Sequence, residues 1–203
     1  MTKINELNGL HVEGHIKIFD PISKEIIVNK RNAIHYENMS ISLAESLANA
    51  GQGFIHEMAF GNGGTAVDPT GIITYLTPNA TGTNASLYNQ TFAKVVDDRS
   101  VNNTDPSRNK LEVRHIAGFN YTDILVSCLL DYNEPDGQDA FDTATNVEQP
   151  FVFDELGLRS FSPSGNGRLL THVIFHPVQK SLNRLIQIDY TVRVQSLSGF
   201  NEV

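Results

Sequence analysis

Two adjacent carboxylates and two histidines lie in the segment FDELGLRSFSPSGNGRLLTHVIFHPVQK, which spans positions 153 to 180. The carboxylates are Asp154 and Glu155, and the histidines, four residues apart, are His172 and His176. Carboxylates and imidazoles together perform general acid–base catalysis and bind metal ions. The same residue types also occur in turns and on the outer faces of strands. The segment therefore forms either an active site or a strand, a turn and a second strand.

The spacing of the histidines argues against a metal site within one segment. His172 and His176 are four residues apart, as are His11 and His15, and on a helix such a pair can share one zinc ion. On a strand the same spacing separates the α-carbons by about 13 Å, too far for both rings to reach one ion. Both pairs lie in strand-like sequence, so we predict no metal site and no cofactor here. A site assembled from different strands stays open as an alternative.

The carboxylates and the glycine cluster favour a structural role for similar reasons. Adjacent residues of a strand point to opposite faces, so Asp154 and Glu155 are not expected to form a facing acid–base pair. Gly61-Asn62-Gly63-Gly64 lacks the lysine of a phosphate-binding loop and no helix pattern follows it, which favours a strand-ending turn. The GxSxG, HExxH and CxxC motifs are absent from the sequence.

These observations predict a protein that is not an enzyme, without catalytic, cofactor-binding or metal-binding residues. The charged and imidazole groups of residues 153–180 are expected in the turns and on the outer face of a hairpin. The lone cysteine, Cys128, shares a strand face with Val126 and Leu130 and is predicted to be a small buried hydrophobic residue. A hydrolase with a scattered site is the alternative, because many catalytic sites join residues that are distant in sequence.

Composition and charge exclude further classes of partner. The 203-residue chain carries a net charge of −8 without a basic tract, so direct nucleic-acid binding is not expected. No run approaches the ~20 apolar residues of a membrane span, and the opening MTKINELNGL has no apolar signal region. We therefore expect the protein to be made in the cytoplasm of the producing cell. We expect no association with a membrane.

Alternation of apolar and polar residues predicts most of the strands. In residues 185–195 one face is apolar and the other polar, which is typical of a sheet with one buried and one wet face. Residues 10–30 predict a hairpin with a turn near Asp20, and Gly14 indicates a bulge in its first strand. The other predicted strands are residues 54–60, 87–96, 110–116, 121–131, 150–158 and 168–176.

One segment, residues 39–50, predicts an amphipathic helix. Met39, Leu43 and Leu47 recur at helical spacing, Asn38 or Ser40 can cap the first turn, and Gly51 can close the last. Three long polar segments, 77–86, 97–109 and 132–149, predict loops. Together these features indicate an all-β fold: a single antiparallel β-sandwich domain over residues 1–203, with one helix and long polar loops.

The layout of the second half resembles the small β-sandwich virion proteins of tailed bacteriophages. The matching features are FDELGL at 153–158, a glycine-rich turn, GRLLTHVIFHPVQK at 167–180 and the alternating strand LIQIDYTVRV at 185–194. Upstream, IHEMAFGNGGT at 55–65 and SLYNQTFAKVV at 86–96 resemble the preceding strands of such proteins. The hairpin and helix within residues 1–50 resemble, more vaguely, an attachment module.

The resemblance implies a structural protein of the tail, neck or baseplate, or of a fibre attachment, that is incorporated into the virion. Its partners would be copies of itself and other virion proteins. Aromatic rings in polar loops, at Tyr88, Tyr132 and Phe141, are the candidate contact residues. A capsid decoration protein is the nearest alternative. A carbohydrate-binding module that recognises a glycan is an alternative of another class, although the chain lacks the tryptophan most useful for stacking on sugars.

Overall fold

The alternating segments form strands in a computed structural model that describes residues 9–135 and 151–197. In this part of the chain there are twelve strands and one helix. In chain order they are β1 (Gly9–Phe19), β2 (Ile26–Arg31), β3 (Ala33–Ile34), α1 (Tyr36–Leu47), β4 (Ile55–Gly61), β5 (Thr65–Val67), β6 (Ile73–Tyr75), β7 (Gln90–Val95), β8 (Lys110–His115), β9 (Tyr121–Leu130), β10 (Phe151–Ser160), β11 (Thr171–Lys180) and β12 (Ile186–Leu197). Every predicted strand is present, and the short strands β3, β5 and β6 were not predicted.

The strands form two five-stranded antiparallel sheets and a small hairpin. The first sheet has the order β2-β1-β12-β9-β8, and the second has the order β3-β11-β10-β4-β7. Among the described strands, β5 and β6 pair with each other alone. Because β1 pairs with β12 along its whole length, the N-terminal hairpin is an integral part of the first sheet. The predicted antiparallel β-sandwich with one helix is confirmed.

The inner faces of the two sheets share one hydrophobic core. In β12, Ile186, Ile188, Tyr190 and Val192 are buried, while the residues between them face outward. They pack in one cluster with apolar residues of β4, β10 and β11 from the second sheet. Each large apolar side chain buried in this way contributes about 1.5–3 kcal/mol, so the alternation that predicted the strands is also the main source of stability.

Helix α1 begins three residues earlier than predicted and buries less of its length. The ring Nδ1 of His35 accepts a hydrogen bond from the backbone N–H of Asn38 and caps the first turn. Met39 is buried and Leu43 packs against the core, but Leu47 is exposed, so the predicted apolar face contacts the core over the first two turns of the helix. Asn49, at φ +51°, is the first left-handed residue after the helix, ahead of Gly51.

The predicted bulge at Gly14 is wrong, because β1 keeps an uninterrupted register with β12 through this position. Gly14 is required for space: an added Cβ would lie 1.9 Å from the side-chain oxygen of Asn32. The irregularity in β1 lies instead between Ile18 and Phe19, where it pairs with β2.

Residues 153–180 form the predicted strand, turn and strand. The pairing of β10 with β11 shifts between Phe153, opposite Val178, and Glu155, opposite Ile174. Three residues of β11 therefore face one residue of β10, and Pro177 is among those three. A bulge tolerates the missing N–H of proline, which explains why β11 continues to Lys180 instead of ending at residue 176 as predicted.

Candidate functional site

The carboxylates and one histidine of the segment 153–180 converge at the turn that follows β4. One oxygen of Glu155, Oε1, accepts hydrogen bonds from the backbone N–H groups of Gly63 at 3.1 Å and Asn89 at 2.8 Å. Its other oxygen, Oε2, accepts from Tyr88 N–H at 2.9 Å and lies 2.9 Å from Nε2 of His172. We call the side chains of Asp154, Glu155 and His172 the buried polar cluster.

Asp154 binds the same turn. Its carboxylate accepts hydrogen bonds from the N–H groups of Gly64 and Thr65, each at 2.9 Å, and from the Thr65 hydroxyl. The prediction that Asp154 and Glu155 would diverge was therefore wrong. Regular alternation is interrupted at the β10–β11 bulge, so both carboxylates reach consecutive residues of one loop.

The imidazole of His172 is held in one neutral form. Its Nδ1 faces the backbone N–H of Asn79 at 2.8 Å, and because this group can only donate, Nδ1 accepts. The remaining proton is then on Nε2, which donates to Glu155. The side chains of His172 and Glu155 are both fully buried, so the prediction that the charged and imidazole groups occupy turns and the outer, wet face fails for this pair.

Burial alone would raise the pKa of Glu155, but the hydrogen bonds from His172, Asn89, Tyr88 and Gly63 outweigh it and lower that pKa below its usual value. The carboxylate is thus ionised and all of its described contacts are internal. The arrangement joins β10 and β11 to the turn after β4 and to the loop that carries Asn79 and Tyr88. Its chemistry is that of a structural clamp on backbone amides.

The glycine turn performs the anion binding that glycine-rich loops perform elsewhere, with a carboxylate of the same chain as the anion. It ends β4, as predicted. Gly63 leaves room for the neighbouring loop, because an added Cβ would lie 2.7 Å from the Tyr88 Cβ and 2.8 Å from the Asn89 nitrogen. The sequence contained both partners of this arrangement, the GNGG turn and the adjacent acids. Their spacing could not show that they meet, because they lie in segments that are distant in sequence.

The remaining histidines and the cysteine lie apart from this cluster. Within residues 9–135 and 151–197, no group of three His, Cys, Asp or Glu side chains is arranged to hold a metal ion. The exposed His176 lies 3.3 Å from the hydroxyl of Tyr75. Cys128 is buried in the core beside Val126 and Leu130, as predicted, and burial raises its pKa to about 12.

The candidate contact residues occupy different surroundings. Tyr88 is partly exposed and its hydroxyl donates to the Thr77 carbonyl at 2.8 Å, so the ring holds its own loop. Tyr132 is also about half exposed. Phe141 lies outside the described residues. A role for any of them in contact with a partner stays a prediction.

An exposed apolar surface that the sequence did not indicate lies at one end of the first sheet. Leu10 and Val113 point to the inner face, in register with core positions, yet they are 66% and 70% exposed. Ile116, in the turn between β8 and β9 at the same end, is 57% exposed. Phe119 in this turn packs instead on Tyr121, at the outer face of the sheet. We call Leu10, Val113 and Ile116 the apolar end. The second sheet does not cover these side chains. The alternation within a single strand predicts which residues face inward, but it cannot show whether the opposite sheet covers them.

A polar cleft of about 630 Å³ lies on the outer side of the second sheet. It is bordered by Ile41 in the middle of α1, the loop 83–86 and the turn between β10 and β11, and it contains Arg159 and Arg168. Arg168 forms an ion pair with Glu45, in which its Nη1 lies 3.0 Å from Oε1 and 2.8 Å from Oε2. Neither arginine was predicted from the sequence to belong to a site.

No described helix has the length and apolar character needed to cross a membrane. In comparisons with known proteins, no family model, no curated protein and no solved structure matched this chain.

Proposed function

We propose that this protein is a non-enzymatic structural component of a tailed-phage virion, in the tail, neck or baseplate or at a fibre attachment. The observation that carries the proposal is the apolar end of the first sheet. Apolar side chains in core register are left uncovered there, and we interpret their exposure as the mark of a contact with another chain. The resemblance of residues 54–195 to virion β-sandwich proteins supports a phage particle as the assembly in which this contact is made.

The geometry suits contacts between repeated subunits. The edge strand β8 ends at the apolar end, and no described strand pairs with its outer edge, where the strand of a neighbour can pair. Its Lys110, Glu112 and Arg114 alternate with apolar residues and discourage unspecific pairing of edges. In a symmetric particle each modest contact is multiplied over many copies, so no single interface has to be large.

A substitution at the apolar end tests the assembly part of the proposal. We expect the purified protein to self-associate, or to bind a second virion protein, and Val113→Glu to abolish this association, because a carboxylate would be buried in an apolar contact. Val101→Glu is the matched control, since Val101 is 98% exposed in the loop after β7. Light scattering after size exclusion, with and without the partner, reports the result. If both variants associate as strongly as the unchanged protein, the apolar end does not form the interface.

Particle composition tests the virion part. We expect mass spectrometry of purified particles to detect this chain, and immunogold labelling to place it on the tail, neck or baseplate. Absence from purified particles would refute the proposal. Labelling of the head, together with intact tails in particles that lack the protein, would instead favour capsid decoration.

A further inference from the structure

The polar cleft contains a buried arginine, Arg159, with an unpartnered donor. Arg159 is 5% exposed, and its Nε is buried without a hydrogen-bond partner among the described residues. The carboxylate of Glu57 lies opposite Arg159 in the β4–β10 pair and attracts it. A buried donor without an acceptor is costly, because it has lost water without gaining a hydrogen bond.

Two carboxylates lie near Arg159. Glu57 attracts it, and its Oε1 is buried without a hydrogen-bond partner among the described residues. Glu45 is taken by Arg168 and also accepts a hydrogen bond from Gln52 at 2.9 Å. Burial lowers the pKa of Arg159, with Glu57 opposing the shift, yet an arginine stays charged in proteins. The cleft therefore presents a cation whose Nε has no acceptor within the part of the chain that the structure describes.

The other walls of the cleft are hydroxyl and amide side chains. They are Thr83, Asn84, Ser86, Ser162, Ser164 and Asn166. A guanidinium surrounded by neutral donors is the arrangement that binds an oxyanion, since each oxygen of a phosphate or carboxylate accepts several hydrogen bonds. None of the described residues that line this cleft is aromatic, so stacking on a neutral sugar or a base is not favoured.

We propose that the cleft binds an oxyanion, a phosphate or carboxylate group carried on a small polar ligand, with Arg159 as its charged contact. The volume of about 630 Å³ exceeds the needs of a bare ion and is ample for a monosaccharide that carries the group. The hydroxyl and amide walls then bind the polar remainder. This site is separate from the apolar end and stands whether or not the protein belongs to a virion.

Titration calorimetry with four ligands tests the proposal and separates the sources of the anion. The ligands are inorganic phosphate, glucose 6-phosphate, glucuronate and, as the neutral control, glucose. We expect saturable binding of at least one of the two sugar acids and none of glucose. Binding of phosphate alone would assign the site to a free ion, and the proposal of a sugar-sized ligand would be withdrawn. No binding of any anion at millimolar concentration would overturn the site.

Two variants identify the charged contact. Arg159→Met removes the charge and keeps much of the volume, and we expect affinity to fall about tenfold or more. Arg114→Met is the control, because Arg114 is exposed on β8 and pairs with Glu112. Equal affinity of Arg159→Met and the unchanged protein would exclude Arg159.

A measurement on the unchanged protein covers the case in which Arg159→Met fails to fold. We expect the bound ligand to shift the amide NMR signals of residues 83–86 and 159–168. Shifts confined to other parts of the molecule would overturn the placement of the site.

Discussion

Replacing Glu155 with glutamine isolates the contribution of the buried polar cluster. The carboxylate accepts four hydrogen bonds, three from backbone N–H groups and one from His172. Glutamine keeps one acceptor oxygen and turns an NH₂ group toward the other two donors. His172 cannot relieve the conflict by moving its proton, because its Nδ1 accepts from Asn79.

The expected loss follows from the two donors left without an acceptor. Each unpaired buried donor costs about 1–3 kcal/mol, so Glu155→Gln should lower the free energy of unfolding by about 2–6 kcal/mol. The free energy of unfolding of a domain of this size is typically about 5–15 kcal/mol. The variant should therefore still fold unless the unchanged protein lies at the low end of that range. Glu112→Gln, at an exposed pair with Arg114, should change stability by less than about 1 kcal/mol.

Urea unfolding at pH 7, followed by circular dichroism, measures both variants. A second effect distinguishes the charge from packing: the pKa of Glu155 is lower in the folded protein than its usual 4.5. Its stabilisation is therefore complete above pH 4.5 and is lost as the pH falls through the folded pKa. The unchanged protein should lose stability on acidification that Glu155→Gln does not lose.

Equal urea midpoints for Glu155→Gln and Glu112→Gln would refute the reasoning. If Glu155→Gln does not fold, hydrogen exchange in the unchanged protein decides the matter. The N–H groups of Gly63, Tyr88 and Asn89 should be strongly protected, and rapid exchange at all three would show that the carboxylate does not hold the loop.

Three other positions give independent tests. Cys128 should resist thiol reagents in the folded protein and react once urea unfolds it, because burial raises its pKa to about 12; rapid native labelling would contradict its place in the core. Burial lowers the pKa of Lys180 to about 8, so stability should rise by up to about 3 kcal/mol between pH 8 and 10.5, where only the unfolded state holds the proton. Lys180→Met should lack this rise, and a constant difference in urea midpoint between the two proteins across that range would exclude it. Gly157→Ala should lower the free energy of unfolding by about 1–3 kcal/mol, since an added Cβ would lie 2.3 Å from the Thr171 carbonyl oxygen. Gly9→Ala, where no atom lies within 4 Å, is its control, and equal thermal midpoints would show that β11 can move aside.

The sequence predicted the strands well because the two-residue alternation is a local property of a half-buried strand. Residues 185–195, the hairpin 10–30 and the segments around Cys128 all carried it. Their pattern led to the antiparallel sandwich without knowledge of which strands pair. The start of α1 was less predictable, since histidine is an unusual cap and the capping role of His35 depends on its position beneath the loop that contains Gly82.

Tertiary structure alone decided where the polar groups went. Asp154 and Glu155 meet one turn because a bulge, created by pairing with β11, breaks the alternation of β10. Arg159 is buried because α1 and the loop 83–86 cover the outer face of its sheet, and Leu10 is exposed because nothing described covers its inner-face position. A residue's environment is set by chain segments that are distant in sequence, whereas periodicity reports only how its own segment is divided between two faces.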